Sequence, residues 1–249
     1  MRRLLWVSGF ATMLVVGWAV AQTPFGGDDG GFIPPSKGDA QCENSVAKSL
    51  GKAAACILGC HKKRASGVFA DDTAEDGCES TGAAASSCKG KYNAVTGNSS
   101  KINAVCPSCL DATARANLFD TLESVIDSNN NKIYCNGTTP WGGDDMGVLP
   151  PDKGTTKCEN TVGKAAAKAV ACIIKCHKGR ASGKFADDTA EDNCENGSSP
   201  SSCESKYNNA VAKATACPCG LTFSFIENTT DALNGQVYCA SSPSGAFLD

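Results

Sequence analysis

Residues Cys158–His177, CENTVGKAAAKAVACIIKCH, decide the fold. Cys158, Val162, Ala166, Ala169, Cys172 or Ile173, and Cys176 recur at three- and four-residue spacing, which puts them on one face of an α-helix. Glu159, Lys164, Lys168 and Lys175 occupy the opposite face. Alanine and lysine favour helix intrinsically, and Gly179 and Gly183 offer a place to stop. A second stripe follows at Cys203, Tyr207, Ala210 or Val211, Ala214 and Cys217. Cys158 to Cys172 and Cys203 to Cys217 are both 14 residues, or about 21 Å of helix. Matched separations predict an antiparallel hairpin with Cys158 bridged to Cys217 and Cys172 to Cys203. Cys176 then reaches Cys194, and Cys219 is left for Cys239.

The same text occurs earlier in the chain. Cys42, Val46, Leu50, Ala53, Cys56 and Cys60 form the corresponding stripe. Cys78, Cys88, Cys106, Cys109 and Cys135 stand for Cys194, Cys203, Cys217, Cys219 and Cys239. Each copy opens on a shared segment, Thr23-Pro24-Phe25-Gly26-Gly27-Asp28-Asp29 and Thr139-Pro140-Trp141-Gly142-Gly143-Asp144-Asp145. The Gly- and Pro-rich connectors Gly26–Asp39 and Gly142–Thr155, with Pro34-Pro35 and Pro150-Pro151, are expected to be stiff, extended lead-ins. In the first copy Cys88 to Cys106 is 18 residues, so its second helix is broken near Thr96–Ser100. Leu110, Ala114, Leu118, Leu122, Val125 and Ile126 form a third helix, and Leu221–Leu233 predicts a shorter counterpart. The fold class expected is all-α, two tandem disulfide-stapled helical-hairpin repeats of about three helices each. The units are residues 22–138 and 139–249, preceded by a signal peptide over residues 1–21.

That signal consists of Arg2 and Arg3, an apolar run from Leu4 to Val20, and small residues Ala19 and Ala21 before the cleavage point. Removing it takes the formal charge from −3 to −5. A mildly acidic chain without a basic stripe argues against nucleic acid, and no later stretch is apolar enough to span a bilayer. A secreted or periplasmic location follows, with an unknown protein or surface ligand as partner. All 16 cysteines fall after the signal, which predicts eight disulfides. Aromatic content is only 6%, so small, alanine-rich cores need such staples. Sequons at Asn98, Asn136, Asn196 and Asn228 are expected unmodified in a bacterial host.

Two motifs invite chemistry. Cys56-x3-Cys60-His61 and Cys172-x3-Cys176-His177 hold the chain's two histidines. A variant c-type haem attachment at Cys56, Cys60, His61, Cys172, Cys176 and His177 would make the protein an electron carrier. Zinc or copper at Cys and His is a further option. The favoured reading is that the cysteines are bridged and each histidine sits on the surface at a helix C-terminus. Phe69-Ala70-Asp71-Asp72-Thr73-Ala74-Glu75-Asp76 recurs unchanged at Phe185–Asp192. A helix start with a capping box, Asp72 with Glu75 or Thr73 with Asp76, explains it, with a calcium site as the alternative. Asp127-x-Asn129-x-Asn131 lacks the glycine and glutamate of a calcium loop. Cys106-Pro-Ser-Cys109 has redox spacing, but its counterpart Cys217-Pro-Cys219 does not. No catalytic residue, cofactor or metal ligand is assigned. A non-enzymatic structural or binding module is the expected function, with a haem carrier or a secreted enzyme of unknown class as alternatives.

Overall fold

A computed structural model describes residues 23–80, 84–214 and 217–240. The signal segment, residues 1–21, lies outside them. The described chain is predominantly helical, as the periodicity requires. Two short hairpins accompany the helices: β1 (Pro24–Gly26) with β2 (Asp29–Phe32), and β3 (Thr139–Gly142) with β4 (Asp145–Leu149).

The connectors therefore begin as antiparallel hairpins rather than plain extended leads. The paired glycines explain this. Gly26 and Gly27 have φ of 117° and 52°, and Gly142 and Gly143 have 111° and 55°. Only glycine adopts such angles at little cost, so Gly-Gly-Asp turns the chain sharply and starts a return strand.

The longest helices are α1 (Lys37–Ala65) and α5 (Lys153–Ala181), which pack on each other at the centre. Ser36 and Asp152 cap their first turns through side-chain oxygens. Gly183, at φ 70°, follows the end of α5, whereas Gly179 stays helical. A Cβ at Gly179 would lie 2.5 Å from the Phe185 ring, so this glycine serves packing rather than termination. Short helices follow in each copy: α2 (Asp72–Glu79) and α3 (Cys88–Thr96), then α6 (Asp188–Glu195) and α7 (Cys203–Val211). The expected break after Thr96 is present, with 3-10 turns over Lys101–Ala104 and Ser108–Leu110 beyond it. The third helices are α4 (Ala112–Ser128) and α8 (Phe223–Val237), of 17 and 15 residues.

Eight disulfides staple this frame. Cys158–Cys217, Cys172–Cys203 and Cys176–Cys194 join the residues that the hairpin geometry pairs. Cys42–Cys106, Cys56–Cys88 and Cys60–Cys78 repeat the pattern. Cys219 departs from expectation. It bonds Cys135, and Cys239 bonds Cys109, so both remaining bridges cross between the repeats.

The crossing has a packing cause. Buried Glu43 on α1 accepts the Ala240 backbone N–H at 2.8 Å, beyond the end of α8. Buried Glu159 on α5 accepts the N–H groups of Cys135 and Asn136, beyond the end of α4. The phenol of Tyr238 donates to Asn44, and that of Tyr134 donates to Asn160. Each third helix thus ends against the opposite long helix. The first hairpin closes on α8, where the Phe32 N–H donates to the Tyr238 carbonyl; the second closes on the end of α4, where Val148 does the same to Tyr134. The first described strands are therefore seated on the last described helix.

Candidate metal centres

His61 lies at the last turns of α1 and is fully buried, contrary to the surface position expected for it. His177 on α5 is likewise buried. The reason is the continuation of the stripe. His61 follows Cys60 on a helix covered by α2, and Phe25 or Trp141 closes the remaining side. The His61 ring meets Trp141 edge-on at 5.8 Å, and His177 meets Phe25 at 6.1 Å.

Four carboxylates converge on each imidazole. Around His61 Nε2 stand Glu79 Oε1 at 3.1 Å, Asp145 Oδ1 at 3.2 Å, Asp127 Oδ1 at 3.4 Å and Glu75 Oε1 at 3.5 Å. Around His177 Nε2 stand Asp29 Oδ1 at 3.1 Å, Glu195 Oε1 at 3.2 Å, Asp231 Oδ1 at 3.3 Å and Glu191 Oε1 at 3.7 Å. The acids sit on α2 or α6, on α4 or α8, and on β4 or β2. Every one of these ten side chains is at least nine-tenths buried.

The identical block therefore does more than start a helix. Its cap is Asp71, whose side chain accepts the Ala74 N–H, and Asp187 acts likewise on Ala190. The capping box expected from Asp72 with Glu75 or Thr73 with Asp76 does not form. Glu75 and Glu79 are one helical turn apart, which aims both at His61. Asp127, in a stretch that lacks the glycine and glutamate of a calcium loop, joins them from the last turn of α4.

One imidazole N–H serves one acceptor well, and hydrogen bonding does not account for this convergence. Each of the eight facing oxygens lies within ion-pair reach of one Nε2, yet none of them makes an aligned hydrogen bond, and one N–H cannot satisfy four acceptors. Buried polar atoms are normally paired, and an unpartnered group costs about 1–3 kcal/mol. The spacing instead matches neighbouring ligands of a single ion. Bonds of about 2.1 Å place adjacent ligand atoms about 3.0 Å apart in an octahedron and about 3.4 Å apart in a tetrahedron.

Electrostatics point the same way. Burial, reinforced by the surrounding carboxylates, pushes Asp145 up to about 10 and Glu191 up to about 11. Burial likewise raises Glu79 to about 8, although His61 opposes it. Burial alone would lower His61 and His177, but the facing acids carry both well above the ordinary histidine value. Four carboxylates and one imidazole cannot all take their ligating forms in a dry pocket without a compensating cation.

The cysteines of the two C-x3-C-H motifs are engaged elsewhere. Cys56 and Cys60 bond Cys88 and Cys78; Cys172 and Cys176 bond Cys203 and Cys194. As disulfides they offer no thiolate to zinc or copper. Cys106 and Cys109 bond different partners, not each other. No family model, curated protein or solved structure matches the chain.

The sequence singles out both histidines but pairs them with the neighbouring cysteines alone, not with carboxylates. The available signal was the repeat itself. His61, Glu75, Glu79 and Asp29 recur at one constant offset as His177, Glu191, Glu195 and Asp145, and Asp127 recurs as Asp231 after deletions. The cluster acids are among the titratable residues kept in both copies, but so are Asp71 and Glu43, which lie outside the clusters.

Proposed function

We propose that the protein is a secreted, disulfide-stapled binding module that holds two metal ions, one at each histidine–carboxylate cluster. The single observation that carries this is the convergence, twice, of one Nε2 and four carboxylate oxygens, all buried and none in an aligned hydrogen bond. Imidazole suits first-row transition ions and carboxylates suit harder ones, so the mixed set favours ions such as Mn²⁺, Fe²⁺ or Zn²⁺.

A role for the ions in architecture rather than turnover fits the burial of every ligand. Each ion would tie a long helix, a short helix, a third helix and a hairpin into one knot. Eight disulfides favour an oxidising, extracytoplasmic compartment. Among the described residues no helix is long and apolar enough to cross a membrane.

The test is elemental analysis of protein exported to an oxidising compartment, then stripped and reloaded with Mn²⁺, Fe²⁺ or Zn²⁺ separately. Two ions per chain are expected, falling to one in His61→Ala and to none in the double variant with His177→Ala. A wild-type chain that takes up none of the three removes the proposal.

A further inference from the structure

The two clusters share ligands but not surroundings. The Trp141 indole N–H donates to Glu75 Oε2 at 3.0 Å, and both residues are fully buried. Phe25 stands at the matching place of the other centre and has no donor to give. Both oxygens of Glu191 are consequently buried without a hydrogen bond, and so are both oxygens of Asp231. Buried carboxylate oxygens without a hydrogen bond number four at the His61 centre, one from each acid, and six at the His177 centre, and at the His61 centre it is Glu75 whose second oxygen is held by a donor.

A carboxylate whose second oxygen accepts a hydrogen bond is held as a one-oxygen ligand. One with both oxygens free can close on an ion with two. Coordination number separates ions by size: zinc favours four to five ligands, whereas calcium takes six to eight oxygens. Ligands beyond the first shell tune a metal through this kind of orientation.

Resting on the reading of both clusters as metal sites, we propose that the two centres select different ions. The Trp141-restrained centre at His61 takes a small, five-coordinate ion such as Zn²⁺. The Phe25-backed centre at His177 takes a larger, oxygen-preferring ion such as Mn²⁺, with Glu191 or Asp231 binding through both oxygens. Trp141 is then a specificity-determining residue that acts through Glu75 without touching the ion.

The experiment is competitive loading of stripped protein with equimolar Zn²⁺ and Mn²⁺, read by elemental analysis and by the Mn²⁺ paramagnetic resonance signal. Wild type is expected to retain one of each. Asp29→Asn should lose the manganese and Asp145→Asn the zinc. Trp141→Phe frees Glu75 Oε2 and should raise the Mn:Zn ratio at the His61 centre about tenfold, roughly what one charge-assisted hydrogen bond supplies. Phe25→Trp should shift the other centre the opposite way. Two ions bound in wild type, with the same Zn:Mn ratio lost from both Asp variants, would overturn selectivity and leave the metal reading intact. No uptake of either ion by wild type would remove both. If Trp141→Phe misfolds, the two Asp variants still decide the outcome.

Discussion

Asp145 Oδ1 lies 3.2 Å from His61 Nε2, although the two residues belong to different copies of the repeated sequence. Asp29 and His177 reproduce the relationship at 3.1 Å. The repeat begins with a hairpin, but the hairpin that serves each centre is the one that opens the other copy. For the His61 centre that hairpin comes next in the chain. For the His177 centre it comes from the N-terminal side, so β1 and β2 complete a cluster otherwise built from α5, α6 and α8.

Removing a hairpin aspartate should therefore damage the centre of the other copy. Asp29→Ala is expected to abolish ion retention at His177 while His61 keeps its ion, and Asp145→Ala to do the reverse. Each should also lose stabilisation by the ion, about 2.7 kcal/mol at a free ion concentration one hundred times Kd. Elemental analysis paired with His61→Ala and His177→Ala backgrounds checks the assignment. An Asp29→Ala protein that loses its ion from His61 instead would break it.

Chelation tests the same knots in the unaltered chain. Stripping both ions should lower the thermal midpoint by several degrees with all eight disulfides intact, because the buried carboxylates lose their counter-charge. Hydrogen exchange should rise first in the two hairpins, which are held mostly by the clusters and the ends of α4 and α8. Identical melting of stripped and loaded protein would contradict this.

The inter-repeat bridges should matter in a different way. Replacing both Cys109 and Cys239 by Ser, or both Cys135 and Cys219, is expected to cost about 2–4 kcal/mol, since each bridge closes a long stretch of chain. Peptide mapping under non-reducing conditions should join Cys109 to Cys239 and Cys135 to Cys219. A Cys219–Cys239 peptide would restore the simpler intra-repeat pairing and argue against the crossing of the third helices.

Glu43 gives a pH signature outside both centres. Burial pushes its carboxyl up to about 8 from 4.5, with the Ala240 N–H acting against that. A raised carboxylate value means the folded chain holds a proton that the unfolded chain has released. Its stabilising contribution is complete below about pH 4.5 and is lost as pH rises through about 8. Wild type should fall by ~3 kcal/mol relative to Glu43→Gln between pH 5 and pH 8. Urea midpoints of the two proteins that move in parallel across that range would rule this out.

Arg115 belongs to the first copy alone. Its guanidinium is buried and donates to the carbonyls of Thr96 and Leu110 and to the side chain of Asn103. It fastens the segment after α3, where the first copy carries four extra residues between its second-helix cysteines. Arg115→Ala should cost about 3 kcal/mol or more by orphaning these acceptors, measured by denaturant unfolding. A change under about 0.5 kcal/mol, typical of surface sites, would show that the segment is held by Cys42–Cys106 instead.

How much of this was legible depends on the range of the interaction. The pairing of Cys158 with Cys217, Cys172 with Cys203 and Cys176 with Cys194 follows from matched spacing, although α7 ends at Val211 and leaves Cys217 beyond the helix that the stripe predicts. The hairpins were written in Gly26-Gly27 and Gly142-Gly143, but proline-rich surroundings suggested extended chain instead. The acids at Asp71–Asp76 carried a local explanation as caps, and that explanation concealed Glu75. Asp71 does cap the helix, so local and distant roles were interleaved in one block.

The sequence by itself determined an all-helical, doubled chain with sixteen cysteines to bridge, because periodicity and composition act over a few turns of helix. Only the tertiary structure decided which bridges cross between copies and which acids meet each histidine. Those outcomes depend on where α4 and α8 end against the opposite long helix. Glu43 and Glu159 fix those ends through backbone N–H groups of the other copy, a contact that leaves no periodic trace in either stretch of sequence.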